Sequence, residues 1–317
     1  MASSSPVKIV FICGQGQSGS TVFTNMLGEQ EGWWSVGELR RLYEALEVGL
    51  KCGCGELMSE CPFWTRVRAS VAEHAPFVPE ERFVELQRRH VQIRPGPMLR
   101  MLTSRPDAPG RPSPPLVCAE TIASAYRAAA AESGAKVLVD ASKGPHDAYL
   151  VDKFTDLDLF VVHLVRDPRG GAFSWRRWRR TTAPAHRYQP TPRYPLLFYL
   201  ARWMARNTIA ELILRRRLGR RYVRIRYEDF AREPAETASR VCEHAGEPPQ
   251  EIPGLARGIV DFGVHHTVGA VPARVQRGPT AIEPSLDWRS EMPVREKAFA
   301  TLVTLPLLLR YGYRLRA

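Results

Sequence analysis

This 317-residue chain contains few lysines and no long apolar runs. Only 6 of its 45 basic residues are lysine, and the other 39 are arginine. No apolar run reaches the ~18–20 residues that a membrane-spanning helix needs, so we expect no membrane span. The N-terminus is short and polar and lacks the basic start and apolar core of a secretory signal. We therefore expect a cytoplasmic protein.

Cysteine is also infrequent, with six in the chain, and a disulfide framework is not expected in a long cytoplasmic protein. Cys52, Cys54 and Cys61 form the only cluster in the sequence. A structural zinc site usually has four ligands, commonly with CxxC spacing, whereas this spacing is CxC with no fourth ligand nearby in the sequence. We predict a loop held by local packing and no metal, with zinc as the alternative.

The net charge of +12 predicts an anionic partner. Arginine is well suited to phosphate and carboxylate because its planar fork donates two hydrogen bonds. Arginine richness can equally reflect genomic base composition, so the charge alone does not choose a partner. The arginine run at residues 176–180 contains a tryptophan, and on a helix it is more typical of a solvated face than of nucleic-acid contact.

Hydrophobic patterning predicts an α/β protein. Apolar runs predict strands at residues 7–13, 135–140, 157–165 and 221–227. Helical spacing predicts helices at residues 20–27, 123–133, 170–180 and 195–218. Near-continuous apolar strands separated by helices indicate a central parallel β-sheet flanked by helices on both faces.

Two proline-rich stretches interrupt this pattern, and neither can be a continuous helix or a central strand. We interpret residues 95–115 as an insertion and residues 181–195 as a lid loop over a site. No internal repeat or clear domain break is visible, so we expect residues 1–317 to form one domain.

The segment GQGQSGST, residues 14–21, follows the first predicted strand and opens a helix. It keeps the GxxxxG frame of a Walker loop, with Ser20 in place of the lysine and Thr21 at the hydroxyl position. Backbone N–H groups of such a loop, together with the helix N-terminus, bind an anion. Because magnesium-bound triphosphates depend on the lysine, the loop suits a single phosphate or a pyrophosphate-like group better.

A second anion site is predicted at residues 163–174, HLVRDPRGGAFS, after the most apolar strand. Arg166 leaves this strand at the carboxyl edge, where open α/β sheets bind ligands. Ser174 follows eight residues later in the next predicted helix. A nucleotide with phosphates at its 5′ and 3′ positions would span both sites.

These segments resemble the sulfotransferases that use 3′-phosphoadenosine-5′-phosphosulfate (PAPS), particularly bacterial members and the carbohydrate and tyrosylprotein branches. Residues 17–21 look like the 5′-phosphosulfate loop, residues 164–174 like the 3′-phosphate element, and RYEDF at 226–230 like a tyrosine-containing segment. The family usually has a basic residue where this chain has Gln17. The resemblance implies a P-loop-like fold and these cofactor contacts: Gln17, Ser18, Gly19, Ser20, Thr21, Arg166, Ser174, Tyr227 and Arg274.

Sulfuryl transfer requires a base for the acceptor's proton, positive charge near the sulfonate and in-line positioning. The resemblance implies that Glu38, in a Gly-Glu pair 21 residues after Gln17, is the base. A carboxyl desolvated beside an apolar wall would have a raised pKa. The alternative is that Glu38 caps a helix over residues 39–48.

Lys143, at the end of a predicted strand, is implied to face the sulfonate or the bridging oxygen. The alternative is a surface lysine in a turn. His146 or His266 could replace Glu38 as the base, whereas His163, inside a predicted strand, is interpreted as a core residue.

The sequence therefore predicts a PAPS-dependent sulfotransferase that forms a sulfate ester and PAP, with no metal required. The expected acceptor is a hydroxyl or amine of a small molecule, sugar or natural product, with no nucleic-acid or membrane partner, and a homodimer is compatible with this prediction. A P-loop-type small-molecule kinase is the first alternative, and the missing Walker lysine argues against it. A basic nucleic-acid-binding protein is the second, although no groove-reading motif is present.

Overall fold

The computed structural model describes residues 7–74, 78–105, 112–181, 194–269 and 275–315. Within these residues, five parallel strands form a central sheet in the order β2-β3-β1-β4-β5. The strands are β1 (Lys8–Gly14), β2 (Trp33–Gly37), β3 (Val137–Lys143), β4 (Asp158–Val165) and β5 (Tyr222–Arg226). The predicted α/β class with a central parallel sheet is confirmed.

The four strands predicted from apolar runs are all present, and β2 is the strand of the central sheet that the prediction missed. β2 is only five residues long and lies at the edge of the sheet, where β3 is the one strand it pairs with and an isolated bridge joins Gly37 to Val268. Glycines in the left-handed region precede it and end it, Gly32 at φ 74° and Gly37 at φ 72°. Such a short segment between two glycines lacks the run of apolar residues that marks the buried strands.

The two faces of the sheet bury alternate residues of β1. Ile9 and Phe11 face one hydrophobic core, and Val10 and Ile12 face the other. The first core is covered by α2 (Leu42–Glu47), α3 (Pro62–His74), α4 (Glu80–His90), α5 (Pro95–Thr103), α6 (Pro114–Ser133) and α7 (Pro145–Phe154). The second is covered by α1 (Ser20–Gly28), α11 (Tyr227–Arg232) and α12 (Pro234–His244).

A third hydrophobic cluster forms beyond the carboxyl end of β4 around Trp203, which is almost fully buried. Its helices are α8 (Pro168–Thr181), α9 (Pro195–Ile209), α13 (Trp288–Glu291) and α14 (Val294–Arg310). A π-helical turn (Ala210–Leu214) continues α9 into α10 (Arg215–Leu218). An antiparallel pair, β6 (Ile259–Phe262) and β7 (Gly278–Ala281), lies outside the central sheet.

The proline-rich stretch at 95–115 is helical at both ends. α5 and α6 each begin with proline, which the first helical turn accommodates because its N–H groups have no partner within the helix. Residues 106–111, between the two helices, lie outside the described residues, as do residues 182–193 of the predicted lid loop. Among the described residues, no helix is both long and apolar enough to cross a membrane.

Candidate active site

The glycine-rich loop connects the end of β1 to the start of α1, as the sequence predicts. Gly19 has φ 77°, and a Cβ atom there would lie 2.6 Å from the ring of Tyr227. Ser18 and Ser20 are buried at the N-terminus of α1. The first N–H groups of α1 have no partner within the helix and carry its positive dipole end, so the loop is a ready anion site.

Arg166 joins the two predicted anion sites. Its guanidinium donates to the carbonyl oxygen of Gln17 at 2.8 Å and to that of Ser285 at 3.2 Å. The same group lies over the Tyr227 ring, 4.3 Å from its centroid. The Tyr227 hydroxyl in turn accepts the Ser285 N–H at 3.0 Å. Residues far apart in the sequence thus meet where the carboxyl ends of β1, β4 and β5 converge.

The other predicted cofactor contacts are less closely joined to this group. Thr21 is half-buried and lines a small cavity together with Glu38, Ala141 and Gly269. Ser174 lies half-buried in the second turn of α8. Arg274 lies outside the described residues.

Glu38 and Lys143 form a buried ion pair. The Nζ atom of Lys143 lies 2.7 Å from Oε1 of Glu38, and the two side chains are 10% and 15% exposed. A guanidinium nitrogen of Arg41 lies 3.5 Å from the other carboxylate oxygen. Glu38 follows β2 and Lys143 ends β3, and these parallel neighbours carry both groups to the same sheet edge.

The Glu38 carboxyl does not have the raised pKa that the sequence interpretation expected. Burial acts to raise it, but Lys143 and Arg41 outweigh burial and lower the pKa from 4.5 to about 2. The raised pKa was expected from an apolar wall beside the carboxyl. The cation that lowers the pKa, Lys143, is 105 residues away in the sequence, so local sequence did not reveal it. In this state Glu38 is an ionised, proton-free carboxylate.

Backbone strain is concentrated at this site. Among the described residues, Gln17 (φ 67°) and Lys143 (φ 66°) are the non-glycine residues with positive φ. A residue held in the left-handed region costs about 1–3 kcal/mol, and such strain often accompanies a functional role. Lys143 is also only 8% exposed, so it is not the surface lysine of the alternative interpretation.

Arg206 contacts the loop, and two more arginines, Arg40 and Arg202, lie close enough to Arg206 to lower its pKa. Arg206 donates to the carbonyl oxygen of Gly14 at 3.2 Å, while its buried Nε has no hydrogen-bond partner. Burial, and then Arg202 and Arg40, lower the pKa of Arg206 to about 10. The sequence does show that Arg202 and Arg206 are one helical turn apart, which places both side chains on the same face of α9. Arg40 pairs with Asp147 at 3.3 Å, whereas the positive charge of Arg206 is incompletely paired and is suited to an anion.

The histidines occupy three different environments. His163 is fully buried and bonded to Tyr222 and Asn207, as predicted for a core residue. His146 is buried at the start of α7, where burial is the main cause that lowers its pKa to about 4. His266 lies with Nδ1 3.2 Å from the Cys61 sulfur.

The sign of the Glu38 shift predicts a pH effect. Because the folded pKa lies below the ordinary value of 4.5, the ion pair contributes its full stability above about pH 4.5 and loses it as the pH falls toward 2. Replacing Lys143→Met removes the main lowering interaction, so the Glu38 midpoint should rise. Carboxyl-carbon NMR titration of the wild type and the variant measures both midpoints, and equal midpoints would contradict the assignment.

Comparison with known proteins identifies the family. The sequence profile described as the sulfotransferase family matches residues 9–251. No curated protein matches the sequence significantly.

Two solved structures share the fold. The sulfotransferase domain from the Synechococcus PCC 7002 olefin synthase is 21% identical with a TM-score of 0.58, and the match covers 99% of this chain and 98% of that one. The sulfotransferase domain from the curacin biosynthetic pathway is 18% identical with a TM-score of 0.54, and the match covers 98% and 99% of the two chains.

Proposed function

Since the chain belongs to the sulfotransferase family, an enzyme family that uses PAPS, we propose that it moves a sulfuryl group from PAPS to a hydroxyl or amine of a small-molecule acceptor. The observation that carries this proposal is the largely buried Glu38–Lys143 pair at the sheet edge, of which Glu38 lines the same small cavity as Thr21 of the loop helix. A base and a cation lie side by side where an acceptor and a sulfonate would meet. Family membership favours this function over the kinase and nucleic-acid alternatives.

The residues at the loop fit a nucleotide with two anionic groups. A Cβ atom at Gly16 would have no other atom within 4 Å, so there is open space for a ligand beside the loop. The buried Nε of Arg206 lacks a hydrogen-bond partner and could donate to an anionic group. The 5′ end would be held by the loop from Gln17 to Thr21, and the 3′-phosphate by Arg166 and Ser174. When bound, PAPS supplies an activated sulfuryl group and leaves as PAP.

Glu38 is proposed to take the proton from the acceptor's hydroxyl or amine at one of its carboxylate oxygens. The paired carboxylate carries no proton, so it is in the correct protonation state to act as a base. Its low pKa makes it a weak base while Lys143 holds it. If the Lys143 ammonium shifts toward the transferring sulfonate, Glu38 loses its main counter-charge and its proton affinity rises.

Lys143 is proposed to stabilise the negative charge on the sulfonate and the bridging oxygen. A preorganised ammonium in a buried site stabilises developing charge more than one in water does. Its left-handed backbone conformation directs it from the end of β3 toward Glu38. The same cation therefore regulates the base and supports the transfer.

The arginines beside the loop offer a replacement for the basic residue that relatives have at the position of Gln17. Arg206 contacts the loop at Gly14, and Arg202 and Arg40 are close enough to affect its pKa. We propose that this cluster supplies the missing positive charge to the bound anion. The arginine run on α8 has a different role, since Arg176 and Arg177 pair with Glu296 and Asp287.

Ligand binding tests the two-anion site. PAP should stabilise the folded chain by about 2.7 kcal/mol at a hundredfold excess over its Kd. Adenosine 5′-phosphate should stabilise far less because it lacks the 3′ group. Replacing Arg166→Ala should weaken PAP binding by about 1.5–3 kcal/mol, the usual contribution of a charge-assisted hydrogen bond. Thermal shift and calorimetry measure these effects.

Two further variants control this test. Arg166→Lys keeps the charge but loses the planar fork, so its loss of affinity should be intermediate. Arg257→Ala removes an exposed arginine outside the site and should bind PAP like the wild type. Equal stabilisation by PAP and adenosine 5′-phosphate, or full affinity in a folded Arg166→Ala variant, would rule out the two-anion interpretation.

A further inference from the structure

Three cysteines and a histidine meet where the cysteine loop contacts the segment that contains His266. Cys52, Cys54, Cys61 and His266 place their Sγ and Nδ1 atoms all within 4.8 Å of one another. Cys52 and Cys61 are fully buried. We propose that these four residues bind one zinc ion in a structural site, which we call the Cys₃His cluster.

Three of the separations between these atoms are close to those of tetrahedral zinc. With zinc–sulfur bonds of about 2.3 Å and zinc–nitrogen bonds of about 2.0–2.1 Å, two sulfurs lie about 3.8 Å apart and a sulfur and a nitrogen about 3.5 Å apart. The Sγ atoms of Cys54 and Cys61 are 3.8 Å apart. The Nδ1 atom of His266 lies 3.8 Å from the Cys52 sulfur and 3.2 Å from the Cys61 sulfur.

The surroundings of the sulfurs suit thiolates bound to a metal. The backbone N–H groups of Cys54 and Trp64 hydrogen-bond to the sulfurs of Cys52 and Cys61. Such N–H groups stabilise negative sulfur and orient it toward a metal. The His266 ring stacks on Phe63, with centroids 4.9 Å apart and an interplanar angle of 2°. An apolar wall thus fixes the imidazole plane, and four protein ligands leave no open position for substrate.

The position of the fourth ligand explains why the sequence favoured a loop held by local packing and left zinc as the alternative. His266 follows Cys61 by 205 residues, so no spacing rule connects them. The cysteine loop itself holds the histidine segment in place. Gly53 donates its N–H to the carbonyl oxygen of Thr267 at 3.0 Å, and a Cβ at Gly53 would lie 2.4 Å from the carbonyl oxygen of His265. Only glycine permits this approach between the two ligand-bearing segments.

The Cys₃His cluster is connected to the proposed base through the backbone. Two residues after His266, Val268 accepts the Glu38 N–H at 2.7 Å and donates its own N–H to Val36 at 2.9 Å. Gly269, the next residue, lines the cavity beside Glu38. Zinc bound to the cluster would therefore hold the segment that positions Glu38, while taking no part in the transfer.

Metal analysis of the wild-type protein tests the proposal directly. Protein purified without chelators from zinc-containing medium should hold about one zinc per chain by mass spectrometry. X-ray absorption at the zinc edge should show three sulfur ligands and one nitrogen ligand. Replacing the zinc with cobalt should produce thiolate-to-cobalt charge-transfer bands and the visible bands of tetrahedral cobalt. These readouts need neither PAPS nor an acceptor, so they are independent of the proposed function.

Matched variants assign the ligands. Cys54→Ser and His266→Gln should lose most of the zinc and unfold at a lower temperature, whereas Cys118→Ser, a buried cysteine outside the cluster, should keep it. If a ligand variant does not fold, the wild-type protein is treated with a mercurial that blocks thiols. Release of zinc on this treatment then tests whether cysteines bind the metal.

Three results would overturn the proposal. One is a wild-type chain without zinc that also develops no cobalt–thiolate bands. Another is full zinc content in a folded Cys54→Ser variant. The third is a native mass two hydrogens lower than that of the reduced chain, because that would show a disulfide in place of the metal.

Discussion

Replacing Glu38→Gln is expected to leave the fold and PAP affinity intact while turnover falls by about 10²–10⁴-fold, the usual loss on removing a general base. The amide has nearly the shape of the carboxylate but cannot accept the acceptor's proton. The effect should be smaller for an acceptor that ionises unaided, such as a nitrophenol, because its proton is already lost. Steady-state turnover with both kinds of acceptor measures the effect.

His146 is the alternative candidate for the base. His146 is buried near Asp147, and it would be the base if Glu38 only holds Lys143. A Glu38→Gln variant with wild-type turnover, together with a folded but inactive His146→Ala variant, would transfer the role to the histidine. Glu44→Gln is a suitable control, because Glu44 pairs with Arg41 without contacting Lys143 in the described contacts.

Replacing Lys143→Met should lower turnover by about 10²–10³-fold, as the loss of one preorganised charge-stabilising group commonly does. Methionine keeps the length of the side chain and removes the charge. The freed Glu38 becomes a stronger base, but the sulfonate and the bridging oxygen lose their cation. An acidic acceptor should therefore rescue Lys143→Met less than it rescues Glu38→Gln.

The comparison between the two variants separates their roles. Lys297→Met removes another lysine, on α14, and should turn over like the wild type. If Lys143→Met keeps full activity, or if a nitrophenol restores it as completely as it restores Glu38→Gln, then Lys143 does not act on the sulfonate.

Local sequence was sufficient for the parts of the fold that depend on neighbouring residues. The run from Lys8 to Gly14 must be a buried strand because its apolar side chains alternate between two cores. The glycines at 14 and 19 predict the loop, because φ angles of 147° and 77° are readily adopted only by glycine. Arg166 was found because a polar residue after an apolar strand lies at the edge where ligands bind.

The electrostatic state of the site depends on contacts between distant residues. Glu38 was identified from its short motif, yet its pKa moves in the opposite direction from that predicted, because Lys143 comes from a different strand. Arg206 was missed because its spacing from Arg202 places both arginines on one helix face but does not show that this face approaches Gly14.

The sequence by itself determined the α/β class and the position of the glycine-rich loop between β1 and α1, since each follows from short-range pattern. The tertiary structure alone decided that Glu38 pairs with Lys143 and that His266 joins Cys52, Cys54 and Cys61 in one cluster. Coulombic and coordination interactions act over a few ångströms in space. Folding brings Glu38 to Lys143, 105 positions away, and Cys61 to His266, 205 positions away. A local sequence pattern contains no information about contacts between residues so far apart.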